Sequence, residues 1–134
     1  MPSRSRPQPP PAYPASLVVY AVCQAKRAVM LRMLVDTGAT YTMIPRRAAL
    51  ALGLDPIAAD RHIPIITASA VEYVPLLRVP IFRCVGLELR NLKVACHDLP
   101  AESAVEGLLG LTVLQHVEPF RQFQRSLQSF LVHE

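Results

Sequence analysis

The sequence predicts a single, mainly β domain with one or two short helices. The chain has 134 residues, of which 51% are hydrophobic, so it can bury one core. Its apolar runs are short and rich in β-branched residues, and proline, glycine or polar residues separate them. That pattern is typical of strands joined by turns. Helical spacing occurs in only two brief segments, and the observations together favour a β-rich globular fold.

The first residues differ in composition from the rest and are predicted to form a disordered, proline-rich tail. Prolines at positions 7, 9, 10, 11 and 14 exclude a helix or central strand over residues 1–15, so we assign the folded domain to residues 16–134. Arg4 and Arg6 precede an apolar run, but the intervening prolines and the lack of an A-x-A-like site argue against a signal peptide. No apolar segment is long enough to cross a bilayer. We expect a cytoplasmic protein without membrane association.

Two apolar strands precede the most unusual residue of the sequence. Residues 16–23 and 28–35 are strand-like, and a polar turn over residues 24–27 joins them as a hairpin. The second strand delivers a single carboxylate, Asp36, into a tight Thr37-Gly38 turn. Burying a carboxylate is costly unless it is hydrogen-bonded or shares a proton. The turn is either a structural Asx turn, in which Gly38 supplies a positive φ, or a functional site, and the tripeptide alone leaves both open.

Two short helices are predicted downstream. Residues 39–44 are strand-like, and a helix over residues 46–52 follows, which Pro45 opens and Gly53 ends. Proline at the first helical position and glycine just past the last are the usual brackets of a short helix. Near the C-terminal end, apolar residues at 111, 114 and 117 have the spacing of a second short helix.

A second hairpin is predicted between the helices. Residues 63–67 and 71–79 are strand-like, and the small residues Ala68-Ser69-Ala70 form the tip between them. Prolines at positions 64, 75 and 80 cannot donate hydrogen bonds to a neighbouring strand. They therefore suit edge strands and a protruding hairpin rather than the centre of a sheet.

The remaining segments also read mainly as strands. Residues 81–85 and 87–96 flank a turn at Gly86, and the alternation of the second strand slips once at Arg90-Asn91, as a bulge or turn would cause. A polar loop over residues 98–106 leads to a very short apolar strand in Gly107-Leu108-Leu109-Gly110. Residues 120–134 are predicted to form a terminal strand or hairpin.

The composition excludes several classes of function. The net charge is +4, but the basic residues are mostly isolated, and four Tyr, four Phe and no Trp supply no aromatic platform, so we expect no nucleic-acid partner. The three cysteines, Cys23, Cys84 and Cys96, lack a C-x-x-C spacing and are predicted to be reduced core thiols. The four histidines have no H-x-x-x-H pairing. We therefore predict no metal and no cofactor.

In this order the elements resemble those of the retropepsin-like aspartic proteases, in particular the small bacterial single-domain members that share a fold with retroviral proteases. The resemblance begins with a hairpin that leads into Asp36-Thr37-Gly38-Ala39, followed by a strand and a helix. It continues with the hairpin whose tip is at residues 68–70, and with Leu108-Leu109-Gly110 before a short helix. It covers most of the chain from about residue 16. It implies a retropepsin-like acid protease fold, which is a closed or partly open barrel with a flap hairpin and one or two short helices.

This resemblance also implies an activity, that of an aspartic endopeptidase, with Asp36, Thr37 and Gly38 as its catalytic residues. Hydrolysis by two carboxylates needs one ionised acid to activate water and one protonated acid to hydrogen-bond the scissile carbonyl. The sequence has no second Asp-Thr-Gly or Asp-Ser-Gly turn. The second carboxylate must then come from a second copy of the chain, which makes a homodimer a requirement of the mechanism.

Further roles are implied for other residues that match the family pattern. Thr37 would brace the two loops of the dimer through its hydroxyl, and Gly38 would let backbone approach the carboxylates. Ala39 would leave space for packing and for the backbone of an extended peptide or protein substrate. The flap residues would close over that peptide by backbone hydrogen bonding; they are Thr67, Ala68, Ser69 and Ala70. Leu108 and Leu109 would press under the catalytic loop, and Gly110 would start the supporting helix.

The sequence departs from the family pattern at the flap tip, and it leaves one alternative function open. The flap tip of the family commonly contains glycine, whereas no glycine occurs between Gly53 and Gly86. Because a fold does not by itself establish an activity, the alternative is a dimerisation or peptide-binding module on the same fold that does not hydrolyse its ligand.

Overall fold

A computed structural model describes residues 17–122 and 125–126 of the chain. Within these residues it contains seven strands and two short helices, and residues 118–122 and 125–126 are also helical. The elements are β1 (Val18–Gln24), β2 (Ala28–Val35), β3 (Thr42–Ile44), α1 (Arg46–Ala51), β4 (Arg61–Ile66), β5 (Val71–Cys84), β6 (Leu87–Cys96), β7 (Gly107–Leu109) and α2 (Leu111–Leu114). The predicted tail of residues 1–15 lies outside the described residues.

Six of the strands form a closed barrel. They are hydrogen-bonded in the order β1-β2-β7-β3-β6-β5, and an antiparallel pairing between β1 and β5 closes the ring. Among the described strands, β4 pairs with β5 alone, so the hairpin of β4 and β5 extends beyond the barrel. The prediction of a mainly β fold with a barrel, a protruding hairpin and short helices is confirmed.

The barrel interior holds the main hydrophobic core, and a smaller cluster lies beneath the hairpin. The largest fully buried apolar side chains of the main core include Phe82, Leu31, Met33, Ile44 and Leu109. The smaller cluster consists of Ile63, Val74, Leu76 and Ala95. Strand β5 contributes residues to both clusters and therefore connects the barrel core to the base of the hairpin.

The three cysteines are buried and free, as expected of reduced core thiols. Burial, with a smaller contribution from the neighbouring Cys84, raises the pKa of Cys23 to about 12. Burial likewise raises the pKa values of Cys84 and Cys96. These thiols therefore stay protonated at neutral pH and behave as small apolar side chains.

Helix α1 has the predicted brackets, with one shift at its start. Pro45 lies at the N-cap rather than at the first helical position, and the carboxylate of Asp98 accepts the N–H of Arg46 at 2.8 Å in place of a local cap. At the other end Gly53 has φ +84°. Its N–H donates to the Leu50 carbonyl at 3.0 Å, and the next N–H donates to Ala49 at 2.9 Å, which is the Schellman pattern.

Several boundaries differ from those predicted. Residues 39–41 form no strand, because the turn after β2 is wider than expected, and residues 71–84 form one continuous strand rather than two. Asn91, where the alternation of β6 changes, has φ +54°. The pairing of β6 with β5 keeps the same register before and after Asn91, so this residue is not a bulge. Residues 118–122 and 125–126 are helical, so the predicted terminal strand or hairpin is wrong at residues 120–122 and 125–126. Residues 123–124 and 127–134 of that segment lie outside the described residues.

Within the described residues, no helix is long and apolar enough to span a membrane.

The two-residue turn between β5 and β6 carries backbone strain. Val85 and Gly86 connect the paired residues Cys84 and Leu87, and both have positive φ, at 45° and 81°. Such turns favour Asn-Gly, whereas a β-branched residue in this region is strained by about 1–2 kcal/mol. Val85 is also largely exposed, so its side chain recovers little of that cost.

We expect Val85→Asn to stabilise the protein by about 1 kcal/mol and to raise the melting temperature by about 4 °C, as measured by calorimetry. Val71→Asn is the matched control, because Val71 is equally exposed but lies in a regular strand. This control should be neutral or destabilising. An equal gain in both variants would show that loss of exposed apolar surface, not relief of strain, explains the effect.

Candidate active site

The Asp36 turn begins directly after β2 and is fixed by three hydrogen bonds. The N–H of Gly38 donates to the Asp36 carboxylate at 2.9 Å, and the N–H of Ala39 donates to the Asp36 carbonyl at 3.1 Å. The N–H of Asp36 donates to the carbonyl of Leu109 at 3.0 Å. Asp36 is half-buried, while Thr37 and Gly38 are exposed. The carboxylate is therefore both locally held and open to a ligand.

The expectation that Gly38 adopts a positive φ is wrong. Its φ is not among the positive values, which occur at Gly53 and Gly86 among the described glycines. A Cβ at Gly38 would instead lie 3.3 Å from the carboxylate oxygen that its own N–H binds. Glycine is favoured here because the backbone approaches the carboxylate closely, not because the turn needs left-handed geometry.

Strand β7 supports the turn from below. It runs parallel to β2, with Leu34 opposite Leu108 and Val35 opposite Leu109, and it also contacts β3. A Cβ at Gly110 would lie 2.6 Å from the carbonyl oxygens of both Ala39 and Tyr41, and a Cβ at Gly107 would overlap the Met43 carbonyl. Both glycines are thus required by the close approach of two backbones, as the sequence predicted for this segment.

Two threonine hydroxyls, which the sequence did not single out, join this support to the turn. Thr42 is fully buried, and its hydroxyl oxygen accepts the N–H of Gly110 at 3.1 Å. The hydroxyls of Thr42 and Thr112 lie 3.0 Å apart, and the Thr112 oxygen accepts the N–H of Thr42 at 3.0 Å. No signal in the sequence distinguishes these residues from ordinary strand and helix threonines, because their pairing exists only in the folded chain.

Glu106 is a second support that sequence reasoning missed, since it lies in a segment that was interpreted only as a polar loop. Its N–H donates to the carbonyl of Arg32 at 2.7 Å, and its carboxylate accepts the N–H of Arg32 at 2.7 Å. The same carboxylate forms an ion pair with Arg47, next to the start of α1. Glu106 directly precedes β7 and therefore links the start of this strand to both β2 and α1.

A cleft with a volume of about 380 Å³ lies between the turn and the hairpin. Asp36, Gly38, Ala39 and Thr40 line one side of it. The opposite side is lined by β4 residues Pro64, Ile65 and Ile66, and the rest by Tyr41, Met43, Ala95 and Leu108. Asp36 is the only charged residue among these, so one carboxylate faces an otherwise neutral, mostly apolar space. Such a space suits the side chain of an uncharged ligand.

The structure brings together only some of the residues predicted for the site. Asp36, Gly38, Ala39 and Leu108 line the cleft, whereas Leu109 and Gly110 lie beneath the turn. The predicted flap residues close the hairpin, where the Thr67 N–H donates to the Ala70 carbonyl at 2.8 Å. They do not line the cleft of the single chain; the β4 residues that precede them do. Thr37 lies outside the cleft and is exposed.

The comparisons with known proteins confirm the predicted retropepsin-like fold. The model of a family described as aspartyl protease matches residues 24–113, a range that includes the turn, the hairpin and β7. The fold is similar to that of a retropepsin-like aspartic protease from Rickettsia conorii, with a TM-score of 0.58 and 22% sequence identity. That similarity covers 75% of this chain and 78% of the other. No curated protein matches the sequence.

We expect Thr42→Val to destabilise the fold by about 2 kcal/mol, because the buried N–H of Gly110 and the Thr112 hydroxyl would lose their partner. Thr42→Ser, which keeps the hydroxyl and loses only a methyl group, should cost about 1 kcal/mol. Denaturant unfolding of the three proteins gives both values. A valine variant as stable as the unmodified protein would mean that this hydroxyl does not hold the support together.

Proposed function

The chain belongs to the aspartyl protease family, and we propose that it is an aspartic endopeptidase in which two copies of Asp36, one from each chain of a homodimer, hydrolyse peptide bonds. The observation that carries the proposal is the placement of the Asp36 carboxylate at the wall of a mostly apolar cleft, in a turn held from below by Leu109. Among the described residues the Asp36 carboxylate is hydrogen-bonded only within its own turn, which leaves it available for chemistry.

The requirement for a second copy follows from the composition of the cleft. Asp36 is its only charged residue, and among the described residues no other carboxylate lines it. Two acids are needed because the water must be deprotonated while the scissile carbonyl receives a hydrogen bond. The exposure of Thr37 and Gly38 beside Asp36 leaves this edge of the turn free to meet the same turn of a partner.

The proposed reaction uses the two carboxylates as a single acid–base unit. Two carboxyl groups held close together cannot both ionise readily, so they share one proton, as in aspartic proteases generally. The ionised group takes a proton from water as the water attacks the carbonyl carbon, and the protonated group hydrogen-bonds the carbonyl oxygen. The proton is then delivered to the leaving nitrogen. No cofactor enters any step.

The proposed substrate is an extended peptide or protein segment. The hairpin of β4 and β5 overhangs the cleft, and the edge of β4 is unpaired among the described strands. An extended peptide can add to such an edge by backbone hydrogen bonds. In this proposal Thr67, Ala68, Ser69 and Ala70 form the tip of a flap that closes over the bound peptide, with Thr67 bonded to Ala70 across the turn.

We expect Asp36→Asn to lower kcat/KM for a cleaved peptide by at least about a thousandfold, because the amide cannot act as the acid or base. The Asn oxygen can still accept the Gly38 N–H, so the turn should be retained. Asp98→Asn is the matched control, since Asp98 is exposed, lies outside the cleft and can likewise keep its bond to the Arg46 N–H. Cleavage by the Asp36→Asn protein would exclude Asp36 as the catalytic acid. Peptide binding without cleavage by the unmodified protein would favour the non-catalytic alternative.

We expect the activity per chain to fall on dilution through the dimer dissociation constant, which sedimentation measures directly. Adding excess Asp36→Asn protein to the unmodified protein should suppress activity, because mixed dimers contain only one Asp36. Adding Asp98→Asn protein should not. Activity per chain that is independent of dilution, together with no suppression by the Asp36→Asn protein, would show that the site does not span two chains.

A further inference from the structure

The free edge of β4 gives the direction in which a bound peptide leaves the cleft. The Thr67 N–H donates to the Ala70 carbonyl, so these two residues form a hydrogen-bonded pair. Hydrogen-bonded and non-hydrogen-bonded pairs alternate along an antiparallel hairpin, so this pair determines which residues of β4 bond to β5. Ile65 and Ile63 then bond inward to β5, while the backbone groups of Ile66, Pro64 and His62 face the open edge. Pro64 lacks an N–H and accordingly occupies an outward position. A peptide on this edge therefore extends from the cleft at Ile66 toward Arg61.

Arg61 lies where that path ends, and two further cations lie on the neighbouring strands β5 and β6. Arg78 of β5 and Lys93 of β6 are directly opposite each other in the register, and Arg61 pairs with Leu76, two residues from Arg78. Residues two apart in a strand share a face, so all three cations lie on the same face of the sheet. Like charges opposite each other are destabilising. None of the three has an ion-pair partner within the part of the chain that the structure describes.

The cations line a concave site rather than a flat surface. A cavity of about 440 Å³ is bounded by them and by the loop between α1 and β4. Asp55 and Asp60 also line this cavity, but neither forms an ion pair with the cations, and the Asp55 carboxylate accepts the N–H of Ile57 at 3.0 Å. Three cations and two carboxylates leave a positive surplus at the site.

The site also lies close to the cleft. Ala95 lines the cleft, and Lys93 lies two residues away on the same face of β6, a separation of about 7 Å. Along β4, Ile65 lines the cleft and Arg61 is four residues away, or about 13 Å. The cleft and the cation site are thus separated by the length of about two to four residues of extended chain.

We propose that Arg61, Arg78 and Lys93 form a distal subsite that binds an acidic side chain of the substrate, about three to five residues from the scissile bond. This inference rests on the proposed protease function. Among the residues that line the cleft and the neighbouring cavity, positive charge occurs only in this cluster. In a two-fold dimer each chain supplies one such subsite, so acidic residues on either side of the scissile bond satisfy it.

The test uses dodecapeptide libraries with a central Leu-Leu pair, mixed residues elsewhere, and either Glu or Gln fixed at one position between the second and the sixth from the scissile bond. We expect kcat/KM to be about three- to tenfold higher with Glu at the distal positions, with little difference at the second position. High salt should remove the preference, because exposed charges are screened. Equal cleavage of the Glu and Gln peptides at every position would overturn the proposal.

Charge reversal provides the matched variants. The Arg78→Glu, Lys93→Glu double variant should lose the preference for Glu and prefer a peptide with Lys at the same position. Arg27→Glu is the control, because Arg27 is exposed in the turn between β1 and β2 and lines neither cavity. It should keep the preference for Glu. A preference that survives reversal at Arg78 and Lys93, in a variant with an unchanged melting temperature, would place the acidic contact elsewhere.

Binding to Asp36→Asn protein separates this inference from the proposed function. Fluorescence anisotropy should give tighter binding of the Glu peptide than of the Gln peptide to that variant. If the unmodified protein cleaves neither peptide but this difference is present, the protease function fails and the subsite stands. If the peptides are cleaved and bound without regard to the acidic residue, the subsite fails and the protease function stands.

Discussion

The hydrogen bond from the Asp36 N–H to the Leu109 carbonyl is the interaction on which the candidate site depends. It continues the parallel pairing of β2 with β7, two strands that lie far apart in the chain. To form such a pair, the chain between the two strands must be ordered, which costs conformational entropy. Other contacts must offset this entropic cost of loop closure before the pairing adds to stability. The geometry around Asp36 therefore belongs to the complete barrel, and no local segment of the chain can hold it.

The same close approach determines the chemistry of the surrounding residues. Backbone from β7 and α2 comes so near to residues 39–43 that Gly107 and Gly110 leave no space for a Cβ. Polar groups buried by this contact need partners, and the hydroxyls of Thr42 and Thr112 supply them. Glycine and threonine thus have complementary roles here, since one permits the contact and the other satisfies it. The result is a positioned carboxylate, and none of the other described residues that line its cleft is charged.

The sequence predicted the elements well because their signals are local. The bounds of β2 and β6, the brackets of α1 and the short strand at Gly107 could be read from apolar runs, proline and glycine. The supports at Thr42, Thr112 and Glu106 could not, since their partners are distant in sequence and their residue types are common in turns and strands. Phe120 shows another limit: its alternation with polar residues predicted a strand, yet this residue is helical. The small size required at Gly38 was implied by the family resemblance, whereas the turn motif alone does not reveal whether glycine is needed for its φ or for its size.

The distribution of charge divides recognition of a peptide into two parts. Around Asp36 the cleft walls are mostly apolar and neutral, so selection there depends on side-chain shape and on backbone hydrogen bonds to the edge of β4. That edge has a gap at Pro64, which offers a carbonyl but no N–H, so backbone pairing alone holds the peptide less firmly than a regular strand would. Contacts outside the cleft therefore make a larger contribution to the selectivity for different peptides. Because the cations at the end of β4 are exposed, their contribution changes with ionic strength, whereas that of the apolar cleft does not.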